Sequence, residues 1–299
     1  MSRSIDRRRF LEIGGSVALG AGLGGAALAR AAEKLTGGAP HAEELGWRLS
    51  IQAWTFNHYS FYEAIEKTSL LNLRYIEAFP GQQVAADQPE VKMGPDTDPR
   101  TRKAIKKQLA NAGVKLVNFG VCSLSKNAGQ SRKTFDFAKD MGIETLVSEP
   151  EFDALDSLEK LCDEYKINLA LHNHPKGHSR YWNPDIVLDV CKGRGKRIGA
   201  CADTGHWVRS GLNPVQQLKK LEGRIICLHF KDLNKYGEGA HDVPWGTGVS
   251  DVDGMLAELH RQHLKAVFSI EYEYNWTGSV PEIAQSITYF DKVAAQLGG

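Results

Sequence analysis

Five short apolar runs in this chain end on side chains able to bind a metal or move a proton. Ile143–Pro150 closes on Glu149, Ile167–Pro175 on His172 and His174, and Ile198–His206 on Asp203 and His206. Ile225–Asp232 carries His229, and Ala266–Tyr274 carries Glu271. Carboxylates mixed with imidazoles suit a divalent transition metal. An imidazole or carboxylate beside such an ion also suits general acid–base work near neutral pH. Apolar runs of this length, separated by helical stretches, read as buried parallel strands. In a closed barrel of such strands every C-terminal end faces one mouth, where catalytic groups collect.

Single positions can be read further. Asp203 and His206 lie three apart with Gly205 between them, a residue that lets the backbone turn sharply. Asp203 could instead cap a helix, but Asn213-Pro214 already marks a helix start, so Asp203 reads as a metal ligand. His229 sits between Leu228 and Phe230, so period-two alternation turns it to the other side, inward. Lys231 shares that side and could hold a substrate oxygen. A buried Glu271 needs a cation or a donor, because an unpaired carboxylate costs several kcal/mol; Glu273 shares its facing. Glu149 is a further ligand candidate, and Glu77 a substrate contact. His172 and His174 share one facing of their strand. Ligand, base and hydrogen-bond donor are all open to them.

The elements that must position these groups are legible. A chain of 299 residues, 42% hydrophobic, can bury one large core. Leu49–Phe56, Leu73–Phe79 and Val114–Val121 complete a set of eight predicted strands, the number of a single (β/α)8 barrel over residues 45–299. Helix starts are marked by the capping box Ser60-Phe61-Tyr62-Glu63 and by Asp98-Pro99, Asn183-Pro184 and Asn213-Pro214. Gly113 and Gly142 are C-terminal stops. The last helix, Pro281–Leu297, aligns Ile283, Ile287, Phe290, Ala294 and Leu297 on one face. The long connection Asn234–Asp253, with Trp245 and four glycines, is expected to cover the substrate.

The head of the chain is different in kind. Asp6-Arg7-Arg8-Arg9-Phe10-Leu11 resembles the twin-arginine export consensus, followed by a mildly apolar, glycine-interrupted stretch and alanine-rich cleavage candidates. Residues 1–32 are therefore expected to be a signal for folded export to the periplasm, with no stable membrane span after cleavage. Arg3, Arg7, Arg8, Arg9 and Arg30 outweigh Asp6 and Glu12 there, so the rest of a chain of net charge +1 is slightly acidic. That body lacks the electrostatic footprint of a nucleic-acid binder. The five cysteines form no C-x-x-C pair and no disulfide framework; Cys201 and Cys227 read as small core residues.

Asp203-Thr204-Gly205-His206, His229-Phe230-Lys231-Asp232, the loop Pro244–Gly248 and a glutamate ending strand eight together resemble the xylose isomerase-like barrels, the sugar phosphate isomerase/epimerase superfamily. The resemblance runs from about Trp47 to the C-terminus. It implies one divalent metal (Mn, Co, Zn or Mg) held by two Glu, one Asp and one His, which here points to Asp203, His229 and Glu271. The family's other Glu usually ends strand five, where this chain has His172. Either Glu149 on the neighbouring strand replaces it, or His172 is itself a ligand. A Glu-Pro upstream of His-Asn-His recurs in one branch of the superfamily, which includes exported proteins, and favours Glu149. The implied activity is isomerisation or epimerisation of a keto-sugar or polyol, by proton abstraction α to a carbonyl through an enediolate held by the metal. The base is Glu271, His172 or His174, with Glu77, His206, Lys231 and Trp245 around the substrate. A good leaving group β to the carbonyl would turn the same step into a lyase reaction on 3-keto-glycosides or an inosose. A phosphoester-cleaving relative would need more metal ligands and a basic groove. A periplasmic sugar-binding module without chemistry would need no converging ligands.

Overall fold

The computed structural model describes residues 34–299. Eight parallel strands close a barrel: β1 (Arg48–Gln52), β2 (Tyr75–Ala78), β5 (Lys115–Cys122), β6 (Thr145–Ser148), β7 (Asn168–His172), β8 (Ile198–Asp203), β9 (Ile225–Phe230) and β10 (Val267–Ile270). Around the barrel they run β1-β10-β9-β8-β7-β6-β5-β2. All eight correspond to the predicted runs. Two further strands were not foreseen, β3 (Gln83–Ala85) and β4 (Gln88–Lys92), an antiparallel hairpin inserted after β2.

The helices begin where the capping chemistry places them. Ser60 Oγ accepts from the Glu63 N–H while the Glu63 carboxylate accepts from the Ser60 N–H, closing the capping box of α2 (Phe61–Leu70). Asp98 caps Pro99–Ala112, and Gly113 and Gly142 end their helices in the left-handed region. A short helix before β1, α1 (Pro40–Glu44), belongs to the folded unit as well, so that unit starts ahead of residue 45. Asp291, on the last helix (Val280–Gly298), accepts from the N–H of His41 and of Ala42. The twin-arginine reading and its cleavage point lie outside the described residues. No described helix is long and apolar enough to cross a membrane.

Inside the barrel, side chains form layers because inward positions recur every two residues. Val117, Val147, Ala170, Cys201, Cys227 and Val267 form one small apolar cluster. Two residues further along four of these strands stand Glu149, His172, Asp203 and His229. On β10 the sequence steps from Val267 through Ser269 to Glu271. Strand register pairs Asp203 with His229, but His229 with Ser269 and His172 with Cys201, so it is the stagger of the tilted strands that gathers these side chains at one height. The lower layer is an apolar plug; the layer above it carries ionisable side chains.

Candidate metal centre and active site

Ligand-type atoms of His172, Asp203, His229 and Glu271 all lie within 4.8 Å of one another, and all four residues are buried. Among the described residues, His172 Nε2 has no hydrogen-bond partner, and Asp203 Oδ2 and His229 Nδ1 have only ion-pair neighbours of poor hydrogen-bond geometry, Lys231 Nζ at 3.0 Å and Glu271 Oε2 at 3.1 Å. Buried polar atoms are seldom left so, because desolvation then goes unrepaid. Two imidazole nitrogens and two carboxylates converging on one point fit a divalent cation.

The far side of each imidazole is held in place. His172 Nδ1 lies 2.8 Å from Glu149 Oε1, and His229 Nε2 lies 2.9 Å from Glu77 Oε1. A carboxylate on one ring nitrogen fixes the proton there and leaves the other nitrogen's lone pair facing the cluster. Glu77 is itself fixed by Gln52, Asn118 and the Ser269 hydroxyl. Expected as a substrate contact, Glu77 is instead fully buried behind His229. The reason is its neighbours: Gln52, Asn118, His229 and Ser269 surround the carboxylate and take up both of its oxygens.

Glu149 lies outside the four-residue group and forms a second one with His172 and His174. Its Oε1 is shared between His172 Nδ1 and His174 Nδ1, the latter at 2.5 Å. Burial opposes ionisation of Glu149, but the two imidazoles more than offset it and hold its carboxyl well below the usual range. His172 ends β7, so His174 sits in the following loop with 44% of its side chain exposed. The pair on one facing therefore divides, one imidazole inside the cluster and one beside the cavity.

Asp203 has two functions at once. Its Oδ1 accepts from the His206 N–H at 2.7 Å, capping a short helix (Thr204–Arg209) that the sequence reading did not separate from the helix after Asn213. The helix-cap role thus holds, and it leaves Oδ2 for the cluster. Gly205 does not serve a sharp turn; a Cβ there would stand 2.6 Å from the Lys231 side chain, so its absence lets that lysine through. Lys231 is fully buried, with Nζ 3.0 Å from Asp203 Oδ2 and 2.8 Å from Glu271 Oε2 and Glu273 Oε2. Burial would lower its pKa, but these carboxylates hold it well above the ordinary value. The cluster attracts positive charge.

His206 is nearly buried. The Arg209 guanidinium meets its Nδ1 at 3.0 Å, so Nε2 carries the proton. Burial, with Lys231 and Arg209 nearby, keeps the ring neutral, its pKa well below 6.5. A cavity of about 330 Å³ opens above the cluster, lined by Gln52, Trp54, Phe79, His174, His206 and Glu271 among others. Trp54 and Phe79 escaped the sequence reading; Trp54 stands two positions beyond the inward Gln52, the only signal available. Trp245 does not reach the cavity. It packs on Phe230 and Phe290 at ring distances of 4.9 and 5.5 Å. The Asn234–Asp253 connection likewise supplies no wall of this cavity, because Asp232 ties it down through the N–H groups of Gly246, Gly248 and Ser250.

Residues 65–293 match the family described as the xylose isomerase-like TIM barrel, and the chain belongs to that family. The family is one of enzymes with sugar-processing members. Among curated relatives, inosose dehydratase of Geobacillus thermodenitrificans (strain NG80-2) is 26% identical over 240 aligned positions, covering 64% of this chain and 78% of that one. A crystal structure of a protein from Parabacteroides distasonis ATCC 8503 is 34% identical, with a TM-score of 0.68 over 83% of this chain and 99% of that one. The IOLI protein, solved with a zinc atom, shares the fold at 16% identity and a TM-score of 0.62, over 83% and 98% of the two chains.

Proposed function

We propose that this chain is a divalent-metal-dependent lyase that dehydrates, or eliminates a β-substituent from, a cyclic polyhydroxylated ketone. The observation that carries the reading is the convergence of His172, Asp203, His229 and Glu271 beside the exposed imidazole of His174. These four are the proposed ligands, and Glu149 orients two of the imidazoles rather than ligating. When bound, the ion supplies Lewis acidity toward a carbonyl oxygen and the charge developing on it.

The chain's own residues do the rest. Glu149 holds the proton of His174 on Nδ1, which leaves Nε2 as a base for the proton α to the carbonyl. Nε2–H of neutral His206 donates to a substrate oxygen. As the Cα–H bond breaks, its electron pair forms the double bond and the β-substituent leaves; the His174 imidazolium returns the proton to it, releasing water or an alcohol. Glu271 and Glu273 are both engaged by Lys231, and Glu273 by Arg209 as well. The free proton-transfer group thus stands on one wall, which favours same-face elimination over return of the proton to the opposite face. Similarity to an inosose dehydratase supports the same choice. The isomerase or epimerase reading shares the first step and differs only in the proton's destination.

Incubating the metal-loaded protein with inosose and with 3-keto-glycosides in deuterated water tests this. An unsaturated ketone that absorbs in the ultraviolet is expected, formed together with water or a freed alcohol. Rearranged substrate carrying solvent deuterium, with no elimination product, would transfer the assignment to the isomerase class. Residues 1–32 are proposed as a twin-arginine export signal. Replacing Arg7 and Arg8 by Lys should retain an active precursor inside the cell, and undiminished export would overturn that proposal.

A further inference from the structure

Next to the cavity above the cluster lies a larger one, of about 600 Å³, which has no part in the chemistry above. The two share Trp54 and Phe79, whose rings meet edge to face at 5.0 Å. The far wall belongs to the unforeseen hairpin and its approach, with Gln82, Gln83 and Lys92, and to the segment after β1, with Asn57 and His58.

The lining of this second cavity suits a ligand. Trp54 is 40% exposed, an indole left open on a wall common to both cavities. Around it stand the polar side chains of Asn57, His58, Gln82, Gln83 and Lys92. An open aromatic face ringed by polar groups calls for a molecule with hydroxyls on its edge and C–H groups on its face. A sugar ring has that chemistry, whereas an alkyl chain has no polar edge and a small anion no C–H face.

We propose that the second cavity binds a second sugar ring, so that the substrate is a two-ring keto-glycoside with its ketone ring above the metal cluster and its other ring against Trp54, Gln82 and His58. The inference rests on the lyase reading and narrows its substrate class: the β-substituent that leaves is then the alcohol of the second sugar. In balance, the Cα–H and C–O bonds break, a C=C bond forms, and the alcohol oxygen takes up the abstracted proton.

Two measurements separate the subsite from the chemistry. The first compares turnover of 3-keto-trehalose, 3-keto-lactose and 3-keto-maltose with that of 3-keto-glucose. The best two-ring ketone should exceed the one-ring ketone in kcat/KM by tenfold or more, and that ratio should fall toward one in His58→Ala and in Gln82→Leu. His58 is exposed, so its variant keeps the test valid where Gln82→Leu fails to fold. The second follows tryptophan fluorescence as trehalose, lactose, maltose or glucose is added, with Trp54→Phe as the control. A disaccharide should change the emission at lower concentration than glucose does, and Trp54→Phe should abolish the change. Turnover of the one-ring ketone at the two-ring rate, with no preference for disaccharide binding, overturns the subsite and leaves the lyase standing. Disaccharide binding that depends on His58 and Trp54, without turnover of any ketone, keeps the subsite and overturns the lyase. A ratio that stays the same in both variants also overturns the subsite.

Discussion

Each imidazole in the cluster depends on a carboxylate behind it. Glu77 stands behind His229 and Glu149 behind His172, so every proposed nitrogen ligand has its proton fixed on the far side. Such partners usually change metal affinity without abolishing it, by roughly 10–100-fold. Loss of a ligand does more. Asp203→Asn, His172→Ala and His229→Ala are expected to lower the metal content of purified protein well below one ion per chain. Glu149→Gln should retain the ion when metal is in excess and lose it at chelator concentrations that the wild-type chain survives. Plasma emission analysis of dialysed samples decides it: if Glu149→Gln is empty and His172→Ala is full, the two roles are exchanged.

At the scale of elements, the alternation of the strands turns a period of two into layers, and the caps fix where each helix begins. The α2 capping box closes in both directions, with Glu63 Oε2 2.8 Å from the Ser60 N–H and 2.6 Å from its hydroxyl. Ser60→Ala removes one half and should cost about 1 kcal/mol of unfolding free energy in denaturant titrations. A loss below a few tenths of that would mean water replaces the hydroxyl. Asp232 has a comparable function for a loop. One carboxylate takes three backbone N–H groups, and Gly248 lacks the Cβ that would stand 2.3 Å from it. Asp232→Ala is expected to destabilise the chain by about 2 kcal/mol, since bonds to a carboxylate are the stronger kind and the Ser250 N–H would be left buried, while those of Gly246 and Gly248 can turn to water.

For the whole molecule, the metal and the terminal helices make separable contributions. The apolar plug beneath the cluster is complete without an ion, so chelation should leave the far-ultraviolet circular dichroism unchanged. Saturation at about a hundred times the dissociation constant adds about 2.7 kcal/mol, or roughly 5–10 °C in the melting midpoint of a domain this size. Loss of secondary structure with chelator would show instead that the barrel forms around its metal. His41 on α1 pairs with Asp291 on the last helix at 2.8 Å, and that carboxylate raises its pKa above 6.5. A raised folded value means the contribution is complete below pH 6.5 and is lost as pH rises through the folded pKa. The midpoint should therefore decline slightly above neutrality, and Asp291→Asn should flatten that decline; the effect is small because His41 is exposed.

Much of this was legible in the sequence because it is local. Apolar runs give strands, capping pairs give helix starts, and period two gives facing, so the barrel and the inward turn of His229 could be read directly. Facing does not give depth. Glu149 reads in the sequence as a ligand candidate and Glu77 as a substrate contact, but only the packing of neighbouring strands decides that one lies beside His172 and the other behind His229. Trp245 was assigned to the substrate because its loop is long and glycine-rich; Asp232, which holds that loop against the barrel, is recognisable only once folded. The β3–β4 hairpin and the exposed Trp54 were missed because an irregular βα connection has no period to betray it. The sequence determined which chemistry gathers at the barrel mouth. Tertiary structure decided which groups touch one another, because contact depends on register and closure across strands far apart in the chain.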